Sequence, residues 1–236
     1  TALDALSTTQ LSGLGTTQVA GLTTAQLNSL STSDVRTLAN TQVAALTAAQ
    51  VAGLSTTNLA ALTSAQAAAL TSTQMAALTT TQINALSAGD LAEFTKTQVA
   101  ALTTAQVAGL STTALSALNS AQVGALSSAQ IGALTTTQLS ALSSADVREL
   151  SATQLGSLTT TQVGALSSAA LGALTTTQVA SLTTAELGAL GTTQVQGLGT
   201  TQVSALNATQ VRSLSTAQLG ALSTTSLAGL SAVQVG

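Results

Sequence analysis

A leucine recurs every eight residues along the chain, and this spacing constrains the fold more than any other feature. The series runs from Leu6 to Leu230 without insertion or deletion, and Phe94 is the only replacement. A second aliphatic residue follows each leucine by five positions, as at Leu11 and Val19. The consensus octad is Leu-[Ser/Thr]-[Ser/Thr]-x-Gln-[Val/Leu]-small-small. Strict repetition at a short period predicts an architecture in which octads pack against other octads.

Neither one continuous helix nor one continuous strand accommodates the octad. Eight residues advance a straight helix by about 80° beyond two full turns, so the leucines would wind around the cylinder without forming a face. On one long strand the leucine and valine sets would point to opposite faces. Repeated short elements fit the pattern better.

Two helix-start signals coincide in nearly every octad. The residue after the leucine is Ser or Thr in most octads, and a glutamine lies three residues further on, as at Ser7 and Gln10. This is a capping box, and the flanking aliphatic pair stands where a hydrophobic staple requires it. In six octads the cap position holds a different residue, which suits an N-cap except at Ala39, where Asn40 follows at once; these are Gly15, Ala39, Asn119, Gly191, Gly199 and Asn207.

The sequence therefore predicts an all-α fold over residues 1–236, a single uninterrupted array of octads. We expect a solenoid of about 29 short α- or 3₁₀-helical turns, one per octad, with Leu and Val inside and Thr, Ser and Gln outside. The competing fold is a β-solenoid of Thr- and Val-rich strands, and disorder is a third possibility. The capping boxes and the strict aliphatic register favour the helical solenoid.

A longer period appears at the glutamine position. Residues that replace glutamine recur at intervals of 56, which is seven octads, in the two series Asp34, Asp90, Asp146 and Asn58, Ala114, Ala170, Ser226. A fourth Asp would be due at position 202, where the residue is Gln202. This superperiod indicates either duplication of a 56-residue block or a superhelix whose repeat matches seven octads and aligns the Asp residues on one face.

Composition argues against most kinds of chemistry. The chain has no Cys or His and only four basic residues, so nucleophilic catalysis, transition-metal sites and binding to phosphate rows lack their usual groups. The carboxylate pairs Asp90–Glu93 and Asp146–Glu149 are interpreted as a helix-dipole partner and a solvated end, not as an ion site. We expect no enzyme, no catalytic, cofactor-binding or metal-binding residue, no small-molecule substrate, no nucleic-acid partner and no membrane insertion.

The octad Leu-Thr-Thr-Thr-Gln-Val-Ala-Ala-Leu resembles the repeats of very long bacterial surface and adhesin-like proteins, and the resemblance covers the whole chain. It implies an extracellular stalk, fibre or adhesive spacer at the cell surface. The sequence has no initial Met and no visible signal peptide, so we expect a piece of a longer protein.

Uniform repetition without a singular site favours a structural role that depends on homotypic association into fibres or filaments. A monomeric spacer is the simpler possibility. The alternative function is an adhesive module whose Thr and Ser rows engage glycans or an ice surface by repeated weak contacts.

Overall fold

The structure is a computed structural model that describes residues 6–235. The described residues divide into two compact units, with the boundary between residues 118 and 119, and the octad register of the sequence continues through both. Within the described residues every regular element is an α-helix of four to six residues, and no strand occurs. The predicted all-α solenoid is confirmed, and the β-solenoid alternative is wrong.

The described residues hold 29 helices, one for each octad. The first unit contains α1 (Thr8–Ser12), α2 (Thr16–Ala20), α3 (Thr24–Ser29), α4 (Thr32–Thr37), α5 (Asn40–Ala45), α6 (Ala48–Gly53), α7 (Thr56–Ala60), α8 (Ser64–Ala68), α9 (Ser72–Ala77), α10 (Thr80–Asn84), α11 (Ala88–Glu93), α12 (Lys96–Ala100), α13 (Thr104–Ala108) and α14 (Thr112–Ala117).

The second unit continues the same pattern. It contains α15 (Ser120–Val123), α16 (Ser128–Gly132), α17 (Thr136–Ala141), α18 (Ser144–Glu149), α19 (Ala152–Leu155), α20 (Thr160–Val163), α21 (Ser168–Gly172), α22 (Thr176–Ser181), α23 (Thr184–Gly188), α24 (Thr192–Gly197), α25 (Thr200–Ser204), α26 (Ala208–Ser213), α27 (Thr216–Ala221), α28 (Thr224–Ala228) and α29 (Ala232–Val235).

Most helices start at the predicted capping box, as α6 illustrates; α7, α14, α21, α25 and α28 start without a complete one. Thr47 is extended (φ −69°, ψ 156°), and its hydroxyl accepts a hydrogen bond from the backbone N–H of Gln50 at 3.1 Å. The Thr47 N–H in turn donates to Gln50 Oε1 at 2.7 Å. The helix ends where Leu54 returns to an extended conformation (φ −63°, ψ 140°). The capping-box prediction is therefore confirmed, because the signals that specify it lie within one octad.

The one octad with alanine at the cap shows which half of the box is sufficient. Ala39 remains the N-cap, and its N–H donates to Gln42 Oε1 at 2.7 Å although it offers no hydroxyl in return. Asn40 is the first residue of α5 and does not take over the cap. The glutamine half of the box is thus sufficient here, and the hydroxyl half alone is sufficient in α14 and α21, where alanine replaces glutamine.

The core consists of the two aliphatic positions of each octad. Val51, Val99 and Val163 are fully buried, and Leu126 is 2 % exposed. Phe94, the single aromatic residue, occupies a leucine position and is also buried. The Leu and Val core is confirmed, whereas the prediction that glutamine lies outside is wrong: most of the glutamine side chains are buried.

Within each unit, a turn does not hold a whole number of octads, so the octads of one turn lie about half an octad out of register with those of the turn before it. A helix packs against the third helix after it, as α2 does against α5 and α16 against α19. Glutamine side chains meanwhile reach backbone carbonyls 28 to 31 residues earlier, at the fourth helix before their own. A turn therefore holds about three and a half octads, or 28 residues, and two turns hold seven octads, the length of the 56-residue superperiod.

Turns approach most closely where glycine ends a helix. A Cβ atom on Gly197 of α24 would lie 2.5 Å from the Ser168 carbonyl oxygen and 2.9 Å from Ser168 Cβ, because α24 packs against α21. We expect Gly197→Ala to lower the free energy of unfolding by about 1–3 kcal/mol through this overlap. Gly188→Ala is the control, since nothing lies within 4 Å of its added Cβ. Urea unfolding that gives equal losses for both variants would contradict the close approach.

Candidate functional site

The glutamine of each octad, hereafter the glutamine row, is the most specific polar feature of the structure. Gln50 shows its two tasks. Its Oε1 accepts from the N–H of its own helix cap, and its Nε2 donates to the carbonyl oxygens of Val19 (3.0 Å), Ala20 (3.2 Å) and Leu22 (2.6 Å). One side chain thus starts its own helix and binds the preceding turn.

The same arrangement recurs in both units. Gln82 and Gln98 in the first unit and Gln178 in the second each donate to three carbonyls that lie 31, 30 and 28 residues earlier. These carbonyls belong to the last residues of a short helix and to the leucine after it, where the i+4 N–H donors of a longer helix are missing. The row therefore hydrogen-bonds the carbonyl ends of one turn with side chains of the next.

Burial of the row was not expected from the sequence. Glutamine is mostly a surface residue, so an outward position was predicted on polarity alone. The amide can be buried because both of its ends have backbone partners, which removes the cost of desolvation. A usable signal is present: one residue type, glutamine, holds this position in 21 of 29 octads, while the neighbouring positions exchange among Thr, Ser and Ala.

Substitutions in the row interrupt these bonds. Asn58 is shorter, and its Nδ2 reaches only the Leu27 carbonyl at 2.9 Å. Glu186 keeps the cap, since Thr183 N–H donates to its Oε2 at 2.6 Å. Asp146 likewise accepts from Ser143 N–H at 2.8 Å. An ionised carboxylate only accepts hydrogen bonds, so these acids cannot donate to the preceding turn.

The two carboxylate pairs separate into buried and exposed members. Asp90 and Asp146 lie buried in the first turns of α11 and α18, where a negative charge is favourable, whereas Glu93 and Glu149 are exposed. Residues 6–235 contain no group of three or more His, Cys, Asp or Glu side chains that could hold a metal ion.

At two places in the first unit, a threonine on the first helical position packs against a glycine of a neighbouring turn. A Cβ on Gly53 would lie 2.6 Å from Thr24 Cγ2, and Gly109 has the same relation to Thr80. The half-octad displacement thus places a glycine of one turn beside a threonine of the other. In these places a glycine, and not another threonine, follows each threonine.

A family model for the ALTTAQ repeat matches residues 2–32, 28–64, 51–80, 100–136, 136–168, 157–184 and 179–216, which together exceed half of the chain. The chain belongs to the ALTTAQ repeat family. The ALTTAQ hexapeptide itself stands at residues 101–106, where it spans the buried Leu102, the cap Thr103 and Gln106, which donates to the Leu78 carbonyl at 2.6 Å.

The ALTTAQ motif therefore contains one core contact, one helix cap and one bond between turns. No curated protein and no solved structure matches the chain. Across the described part of the ALTTAQ array, none of the helices combines the length and the apolar character needed to cross a membrane.

Proposed function

We propose that this array of ALTTAQ repeats is a structural element of an extracellular fibre, stalk or matrix at a bacterial cell surface, without a catalytic role. The observation that carries the proposal is the glutamine row. In most octads the buried glutamine donates hydrogen bonds to the preceding turn, so each added turn can bind the turn before it in the same way. Function of this kind resides in length and shape and not in one pocket.

Homotypic association is the mode of action that fits the surface. The chain carries a net charge of −3 over 236 residues, so little electrostatic repulsion opposes contact between copies.

Sedimentation over a wide concentration range tests this association. We expect reversible self-association, because little net charge opposes contact between copies. Negative-stain electron microscopy of the concentrated protein should show fibres. A folded monomer at every concentration would refute the proposal.

An adhesive module is the second candidate, favoured by the exposed hydroxyls of the first helical turns, as at Thr8 and Thr9. The interruptions beside Gly53 and Gly109 weaken it, because a lattice match requires unbroken rows. Glycan-array binding or thermal hysteresis would distinguish this function from the structural one.

A further inference from the structure

One polar pocket in the first unit surrounds Asp90, an acidic member of the glutamine row. The pocket has a volume of about 380 Å³, and its lining residues are Arg36, Ala60, Leu62, Thr63, Ser64, Ser87 and Asp90. Asp90 is only 6 % exposed. Its Oδ2 performs the capping role, accepting from the Ser87 hydroxyl at 2.6 Å and the Ser87 N–H at 3.3 Å.

In most other octads, a glutamine at the position of Asp90 places its amide nitrogen on backbone carbonyls of the preceding turn. One octad earlier, Gln82 Nε2 lies 2.9, 3.3 and 2.8 Å from the carbonyl oxygens of Val51, Ala52 and Leu54. The equivalent carbonyls for residue 90 are those of Leu59, Ala60 and Leu62, because the offsets are 31, 30 and 28 residues.

Aspartate leaves two of these three carbonyls without a donor, since the Leu59 oxygen accepts from the Leu62 N–H at 3.2 Å. Its side chain is one methylene shorter than that of glutamine and, when ionised, offers no N–H or O–H. Among the described residues, no donor makes a hydrogen bond to the carbonyl oxygens of Ala60 and Leu62, and Asp90 Oδ1 accepts only from the Ser64 hydroxyl at 3.3 Å. The pocket therefore has the carbonyl oxygens of Ala60 and Leu62 without donors, beside the buried carboxylate of Asp90.

The row shows which kind of donor this position takes. Along it, nitrogen-to-oxygen distances run from 2.5 to 3.4 Å, which suits N–H donors. Calcium and magnesium require oxygens at about 2.0–2.6 Å. A glutamine amide has two N–H groups for three carbonyls, whereas a primary ammonium has three and also supplies the positive charge that a buried carboxylate needs.

Arg36 defines the other half of the ligand. It is the basic residue of the pocket lining, and its planar guanidinium is suited to bind a carboxylate through two parallel hydrogen bonds. We propose that this pocket binds a small free α-amino acid as the zwitterion. The ammonium occupies the place of the absent glutamine nitrogen, beside Asp90, and the carboxylate binds Arg36. The pocket volume lies within the usual range for small-molecule sites.

The sequence around Asp90 departs from the repeat in a way that fits a specialised octad. Residues 81–99 lie between the family-matched stretches 51–80 and 100–136. This segment contains Glu93, Phe94 and Lys96, all of which replace consensus residue types. The proposal does not depend on the structural function of the array.

Calorimetric titration of the full chain with L-alanine, ethylamine and propionate tests the site. We expect L-alanine to bind more tightly than ethylamine, and propionate to bind most weakly of the three. Asp90→Gln restores the consensus residue and places the chain's own amide on the carbonyls of Ala60 and Leu62, so it should fold and should bind L-alanine roughly tenfold to a hundredfold more weakly. Glu186→Gln, the same kind of exchange in the second unit, should leave binding unchanged.

Arg36→Gln separates the two halves of the ligand. It should weaken L-alanine binding by about tenfold or more and leave ethylamine binding as it is, since only the carboxylate contact is lost. Failure of L-alanine to bind, equal binding by the Asp90→Gln protein, or equal affinity for ethylamine and L-alanine would each overturn the proposal.

Discussion

Replacing Leu126 with aspartate is expected to lower the free energy of unfolding by about 4 kcal/mol or more, the largest effect that a single substitution in the core should have. The Leu126 side chain is 2 % exposed, and a carboxylate there would have no partner among the surrounding aliphatic groups. The Leu126 carbonyl also accepts from Gln154 Nε2 at 2.5 Å. Local opening at residue 126 should therefore release the next turn as well.

Hydrogen exchange measures this effect octad by octad. In the Leu126→Asp protein, amides of the flanking octads and of α19 should lose their protection. Thr137→Asp introduces the same charge eleven residues later, at an exposed position in the first turn of α17, where a negative charge favours the helix dipole. It should cost less than about 0.5 kcal/mol. Full protection of the octads next to Leu126→Asp would show that this leucine does not belong to the core.

Replacing Gln50 with glutamate should cost about 3 kcal/mol at neutral pH, although the two side chains have the same shape. The cap survives, because a carboxylate oxygen still accepts from the Thr47 N–H. The bonds to the preceding turn are lost, and an acceptor then faces the carbonyl oxygens of Val19 and Leu22. Three hydrogen bonds become repulsive contacts without any change in volume.

Gln18→Glu is the matched control for this exchange. Gln18 is exposed and accepts from the Gly15 N–H at 2.7 Å, and a carboxylate can keep this bond. Its replacement should change the free energy of unfolding by less than about 0.5 kcal/mol. Chemical denaturation of both variants tests this prediction. Equal losses in the free energy of unfolding would mean that glutamine stabilises the fold through its helix cap and not through its bonds to the preceding turn.

The helices and the core could be predicted from the sequence because their determinants are local. Ser7 and Gln10 lie three residues apart, and the leucine and valine positions recur inside each octad. The number of octads per turn could not be predicted, since it depends on contacts between residues 28 to 31 positions apart, such as Gln50 with Leu22. Burial of the glutamines follows from the same contacts and was missed for the same reason.

The pocket at Asp90 shows the same division. The position of Asp90 in the first turn of α11, which the octad pattern and the helix dipole predict, is confirmed. The carbonyls of Ala60 and Leu62 and the guanidinium of Arg36 come from one and two turns earlier. Without the turn length, nothing in the sequence associates these residues, and no ligand is expected.

The half-octad displacement also limits how such a gene can grow. Inserting one octad preserves every cap and every core contact, yet it rotates all later residues by about two sevenths of a turn around the axis of their unit. An insertion between Arg36 and Asp90 would carry the two side chains to different sides. Only additions of seven octads return each outward side chain to its former neighbours. Copying blocks of 56 residues is therefore the smallest change in length that leaves the pattern of the outer surface intact.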